Sequence, residues 1–437
     1  MIEFANLQFY KEKRFKETPI GKIPEDWNLM SFGKILREVN LRVRDVKTLS
    51  KLPILSLTKN FGLIPQSRRF HKKIATSCVD KYKVIKKGWL VYNPYVIWEG
   101  AICVLRNIEL GVVSPVYLVW KITSNVDCWF LDYLVQTKVM LDIFLKFATG
   151  SVQRRRSLKK RDFLKIQIPI PPLEEQKAVA HILSTIDEAI QKTNEIIEKI
   201  KRLKKGLMQE LLTKGIGHKE FKDTEIGRIP KEWEVVRLKE VVLEVKPGFP
   251  CGKRDESGVI QLRMDSIDIE GWINPTAYVK VPPPKNVEEY LLRPGDILFN
   301  NTNSIDLIGK TAIFRGEFSE CVYSNHLTRI RINPNKVIPE WLLYVLIRKW
   351  QLGIFKAICH PHVHQAGINK GDLLNLKIPL PSLEEQDKII RMILTVDKKL
   401  KIEIKRKEKL KRIKKALMDL LLTGKIRVKV DCNEQRN

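Results

Sequence analysis

The sequence predicts an α+β protein in which two β-rich mixed domains are joined by two long antiparallel coiled-coil helices, the halves related by internal duplication with pseudo-twofold symmetry. Three observations predict it. The chain repeats itself at an offset of roughly half its 437 residues. Short apolar runs punctuated by Gly and Pro fill most of each half. Each half then closes on a long stretch whose apolar positions alternate in steps of four and three.

The repeat has two parts. Residues 15–39, FKETPIGKIPEDWNLMSFGKILREV, match residues 221–245, FKDTEIGRIPKEWEVVRLKEVVLEV, at 10 of 25 positions and an offset of 206. Residues 168–216, from IPIPPLEEQ to LLTKGI, match residues 378–426, from IPLPSLEEQ to LLTGKI, at 21 of 49 positions and an offset of 210. Two nearly equal offsets mean one duplication of a domain-sized unit, not a solenoid.

In order along the chain, residues 1–167 are expected to form the first domain, with strand-like runs such as Leu52–Leu57, Trp89–Tyr92 and Val116–Trp120. A helix around Phe130–Phe147 should close it. Residues 168–216 form the first long helix; proline just before it fixes a sharp start, and Glu174 and Glu175 in the first turn complement the helix dipole. Residues 217–377 repeat the domain, with runs at Ile297–Phe299 and Leu327–Ile332 and a closing helix around Trp341–Ile358. Residues 378–426 repeat the helix, opened by Glu384 and Glu385, and 427–437 are a tail. The first seam runs through Val179, Leu183, Ile186, Ile190, Ile197 and Ile200 past Thr193; the second through Ile389, Ile393, Val396 and Leu400. Pseudo-twofold symmetry would pack the helices antiparallel on each other, but seam spacing does not name the partner, which could equally be the helix's own domain or a second chain.

Lys and Arg number 79 against 50 Asp and Glu, a formal net charge of +29, and nucleic acid is the first counter-charge to consider. Apolar residues at 44% exclude wholesale disorder. No run reaches the roughly 18 apolar residues of a membrane span, and the N-terminus shows no secretory pattern, so a cytoplasmic protein is expected. Seven scattered cysteines without a CxxC argue against both a disulfide framework and a four-cysteine zinc site.

Catalytic motifs fail on inspection. Gly309-Lys310-Thr311 ends like a phosphate loop, but Ser304 stands where the first glycine is needed. Asn93-Pro94-Tyr95 lacks the second proline of an adenine-methyltransferase motif, and no Gly-rich cofactor loop precedes it. Pro294-Gly295-Asp296 has no nuclease partner and reads as a turn. Cys359-His360-Pro361-His362-Val363-His364 can be read as a zinc ligand set, as polar base contacts or as a loop; the other half has no ligand set at the equivalent place, and no metal or cofactor is assigned. His362, His364, Gln365, Asn301 and Asn303 are candidate base readers, since polar side chains suit base edges. Arg68, Arg69 and Lys72, with Arg154, Arg155, Arg156, Lys159 and Lys160 of the run RRRSLKKR, are candidate phosphate contacts. Residues 397–415, with eleven cations against three acids, are read mainly as a solvated helix face.

The order of β-rich domain, IPIPPLEEQ boundary, long helix, Ile-Gly-x-Ile-Pro-x-x-Trp opening and IPLPSLEEQ boundary resembles the DNA-specificity subunit of type I restriction-modification systems, over nearly the whole chain. The resemblance implies two target-recognition domains, each reading half of a split double-stranded DNA site. It implies helices that space the halves and dock two modification (methyltransferase) subunits, with ATP-dependent restriction subunits completing the complex. Leu183, Ile186, Ile190, Ile197, Ile393, Val396 and Leu400 would then be the helix seam, and catalysis would reside in the partners. A fused methyltransferase or nuclease, a coiled-coil scaffold and an RNA binder are the other classes to weigh; the first lacks a cofactor loop, the second explains neither the β-rich domains nor the charge, and footprinting on a gapped duplex separates the third.

Overall fold

The structure is a computed structural model that describes residues 7–45, 52–59, 62–69, 79–123, 125–150, 156–361 and 365–429, the side chains of Arg68 and Arg69 excepted. It divides into two compact units: residues 1–194 with 405–437, and residues 195–404.

In the first unit a four-stranded antiparallel sheet runs in the order Ile102–Val104, Leu90–Tyr92, Leu118–Ile122, Leu36–Val39. The hairpin Phe15–Thr18 and Gly21–Pro24 turns at Gly21, whose φ of +106° favours glycine. Asn28–Ser31 pairs with Gln167–Ile170, so the proline-marked boundary is itself a short strand. The closing helix is broken in two, Cys128–Val135 and Lys138–Phe147: Asp127 caps the first piece, and at the break Thr137 caps a fresh N-terminus by accepting the Met140 N–H. The core gathers around Phe163, which stacks on Phe32 at 4.5 Å and meets Tyr92 at 4.4 Å, all fully buried.

The second unit opens on the matching hairpin, Phe221–Thr224 and Gly227–Pro230, and its boundary strand Lys377–Leu380 pairs with Glu234–Arg237. A four-stranded sheet runs Val242–Pro247, Leu327–Ile332, Ile297–Asn300, Thr311–Ile313. A smaller sheet of Val279–Val281, Val259–Leu262 and Cys321–Tyr323 contains a parallel pair. The closing helix is again divided, Pro339–Gln351 and Ile354–Ile358, with proline in its first turn and Trp341 to Ile347 buried.

The long helices span Leu173–Lys214 and Leu383–Leu421. In the first unit Leu183 is buried with Leu421 and Leu422, and Asp187 meets Lys414 at 2.6 Å. In the second, Ile197 and Ile200 pack with Leu400 and Val396, while Ile389 and Ile393 pack with Met208, Leu211 and Leu212. The apolar stripe does in each unit what amphipathic spacing predicts: it removes a row of side chains from water, at about 1.5–3 kcal/mol for each large one fully buried. Ile186 and Ile190 are half-buried. Thr193, the break in the first seam, is buried and satisfies its hydroxyl on the Ala189 carbonyl at 2.7 Å.

The first residues of the stretch read as a tail are built into the fold: Ile426–Lys429 is a strand paired antiparallel with Gln8–Lys11, Phe9 opposite Val428. A pairing between residues some 420 positions apart leaves no local signature in the sequence.

Candidate nucleic-acid interface

The two LEEQ segments are built alike, each around a buried tryptophan. In the first unit the Trp27 indole N–H donates to Glu175 Oε2 at 3.3 Å, and Trp27 is fully buried. Gln176, also buried, donates to the Pro171 carbonyl and accepts from the Asp127 N–H, tying the start of the long helix to the cap of Cys128–Val135. The second unit repeats this: Trp233 donates to Glu385 Oε2 at 2.9 Å, and Gln386 donates to Pro381 and Lys336 carbonyls while accepting from the Ile338 N–H. The second glutamate of each motif is therefore an acceptor for a buried tryptophan from 148 or 152 residues earlier, a role beyond the helix-dipole reading. Arg427 in the first unit and His218 in the second complete the ring around it.

The aborted catalytic motifs find structural uses. Lys310 is buried and donates to the Met264 and Ile267 carbonyls at 3.0 and 2.9 Å. Gly309 has φ +81°, and a Cβ there would collide with Phe355. Asp296 accepts from Arg331 at 2.9 Å and from the Arg293 N–H. Asn93 ends a strand and accepts from the Tyr95 N–H, while the Pro94 carbonyl accepts from the Leu158 N–H. Burial pushes the Cys321 thiol up to about 12 and the Cys128 thiol up to about 11, so both stay protonated at neutral pH. Among the described residues no group of three His, Cys, Asp or Glu is placed to hold a metal ion. Cys359 donates to the Lys356 carbonyl instead.

Two clefts stand out. One in the first unit, about 670 Å³, has mainly apolar walls from Phe15, Ile23, Leu134, Met140 and Leu422, with Lys11, Lys22 and Lys425 also on its lining. The other, in the second unit, is about 480 Å³ and polar, with Asn301, Thr302, Asn325, His360, Asn369 and Lys370 on its walls. It lies over a three-stranded sheet of Thr302–Asn303, Ala366–Gly367 and His360–Pro361.

The candidate contacts fare unequally. Asn301 lines the polar cleft, but its amide is committed: it donates to the Asn325 carbonyl and Thr328 Oγ1 and accepts from Thr302 Oγ1. Asn303 is 8% exposed, and its carboxamide oxygen accepts from the Ser304 N–H. Gln365 is exposed beside the sheet. Lys160 pairs with Glu38 at 2.5 Å, which partly spends its charge, while Lys159 is exposed and Arg156 half-buried. Arg154, Arg155, Lys72, His362, His364 and the side chains of Arg68 and Arg69 lie outside the described residues.

The family described as "Type I restriction modification DNA specificity domain" matches residues 119–202 and 230–412. The chain belongs to that family. The MjaVIII type I restriction enzyme specificity subunit of Methanocaldococcus jannaschii is 32% identical over 97% of this chain and 98% of its own. The EcoKI specificity subunit of Escherichia coli is 23% identical over 76% of this chain and 69% of its own. The fold is shared with the type I restriction-modification S subunit of M. genitalium, with a TM-score of 0.56 and 15% identity over 92% of this chain and 98% of that one. The family's matched residues include both LEEQ segments and the polar cleft, while Trp27, Arg427 and His218 lie outside the matched ranges. No described helix is long and apolar enough to cross a membrane.

Proposed function

We propose that this chain reads a split duplex DNA site, one half with each β-rich domain (1–167 and 217–377), and presents the bound site to modification and restriction subunits. Specificity subunits recognise DNA and leave methylation, translocation and cleavage to those partners. The helices 168–216 and 378–426 act as an antiparallel coiled coil that fixes the gap and docks two modification subunits, and the halves stand in pseudo-twofold relation as products of one duplication. The observation that carries this reading is the boundary network built twice, each time completed by the far end of the other copy's helix: Leu421 and Leu422 in the first unit, Met208, Leu211 and Leu212 in the second. Two inverted readers on one chain approach a duplex as the halves of a dimeric repressor do, but with half-sites free to differ. Affinity comes from Lys and Arg on phosphates, including Arg154, Arg155 and Arg156 of the densest basic run, and specificity from a few base-edge contacts.

Spacing tests the reading. Inserting seven residues, two helical turns, at matched positions within 187–205 and 397–415 keeps each seam in register. It lengthens the pair by about 10 Å, or about three base pairs. The methylated motif is expected to keep both half-sites and widen its gap. A folded variant with an unaltered gap overturns the helices as spacer.

A further inference from the structure

The polar cleft of the second unit holds an exposed histidine whose ring is oriented by a neighbour. His360 is 59% exposed; its Nε2 lies 2.8 Å from Asp372 Oδ2 and 3.3 Å from the Asn369 amide nitrogen, and the shorter contact, to a carboxylate that can only accept, puts the proton on Nε2. Asp372 is itself fixed, because its backbone N–H donates at 2.8 Å to Asn369 Oδ1, the cap of the helix Lys370–Leu374. A neutral imidazole that gives its Nε2 proton to a carboxylate keeps Nδ1 as a bare acceptor. Lys370, exposed on the same wall, adds a cation. The floor is rigid, since the Asn301 amide is held from three directions.

From this arrangement we infer that His360, clamped by Asp372, reads the exocyclic amine of an adenine or cytosine in the major groove of the second half-site, and that Lys370 holds an adjacent phosphate. The inference rests on the proposed reading of split DNA and names its reader. An acceptor Nδ1 matches adenine N6 or cytosine N4, and discriminates against thymine and guanine, which offer carbonyl oxygens there. Asp372 is a positioning residue: it sets which ring nitrogen carries the proton. In the first unit the place corresponding to this segment is Thr149–Arg154, which has no histidine, so the contact belongs to one half-site alone.

The test uses the full chain assembled with its modification subunits, binding duplexes that carry the methylated motif with each base of the second half-site changed in turn. His360→Ala is expected to lower discrimination at one position about five- to 150-fold, and to leave the first half-site untouched. Asp372→Asn lets an amide donate to Nε2, turns Nδ1 into a donor, and is expected to shift the preference at that position toward a carbonyl-bearing base, which a merely structural aspartate would not do. Lys370→Ala is expected to weaken all duplexes alike and lower the salt slope by about 0.9. His360→Gln and thermal melts guard against misfolding. A folded His360→Ala or His360→Gln complex with unchanged discrimination at every position overturns the base contact, and an unchanged salt slope overturns the phosphate contact. Wild-type complex that prefers no split duplex overturns the parent reading, a result recognisable before any variant is made.

Discussion

Replacing Arg427 by methionine is expected to destabilise the first unit by about 3–5 kcal/mol. The guanidinium is 7% exposed and meets three carboxylates: Asp26 through both terminal nitrogens at 2.6 and 2.8 Å, Glu175 at 2.7 and 3.0 Å, and Glu12 at 2.9 Å. Burial works to lower its pKa, yet the bonds from Glu175, Asp26 and Glu12 raise it beyond its ordinary value. Methionine fills much of the volume but leaves Glu175, 6% exposed, without its cation. The same ring carries the Trp27 indole and, through the strand Ile426–Lys429, the pairing with Gln8–Lys11, so the damage spreads to both ends of the described chain. Denaturant unfolding followed by tryptophan fluorescence measures it. Adding Glu175→Gln should recover part of the loss, because the stranded charge is then gone. A loss below about 1 kcal/mol contradicts the account.

Lys204→Met is expected to cost the second unit a similar amount, about 3–5 kcal/mol. Lys204 is 5% exposed, and its ammonium lies 2.8 Å from Asp397, itself 1% exposed, and 2.6 Å from Glu270. The Tyr344 hydroxyl donates to the same Asp397. Glu270 belongs to a loop that Asp268 folds by accepting from the Glu270 and Trp272 N–H groups, and Trp272 is flanked by Arg315 at 4.1 Å and Lys401 at 4.5 Å. The lysine thus fastens the β-rich domain to its helix pair. Burial works to lower the Lys204 pKa, but Asp397 and then Glu270 outweigh it, and the value is raised. A raised lysine pKa means the stabilisation is complete below the unfolded value of about 10.4 and fades as pH climbs through the higher folded value. The difference between wild type and variant should therefore hold from pH 7 to 9 and shrink only at strongly alkaline pH. The corresponding pair in the first unit, Lys414 and Asp187, is 26% and 37% exposed, so Lys414→Met should cost no more than about 1 kcal/mol. Equal losses at the two sites would contradict the argument from burial.

What could be read in the sequence was what is local or repeated. Proline before LEEQ marked the helix starts because proline acts on its own backbone, and the four-three spacing around Leu183 and Leu400 exposed the buried stripes because helix geometry is periodic. What escaped was non-local. Nothing near Glu175 announces that Trp27 and Arg427 converge on it, and the strand Ile426–Lys429 has no partner within 400 residues. The helices around Phe130–Phe147 and Trp341–Ile358 were located but their breaks were not, although Thr137 is a capping residue that could have placed the one in the first unit. The candidate contacts were least legible, because residue type alone cannot separate an exposed amide from one turned inward: the Asn301 amide is bonded within the fold and Asn303 is buried, while His360 is held by Asp372.

The central claim is that one chain carries two independent readers. The most direct measurement is sequencing of methylated adenines in a strain that carries this chain with its modification subunits, before and after residues 246–375 are replaced by the matching segment of a relative with a different motif. The account predicts a bipartite motif in which one half changes while the other half and the gap stay as they were. A motif in which both halves change together, or no gapped motif at all, would contradict it.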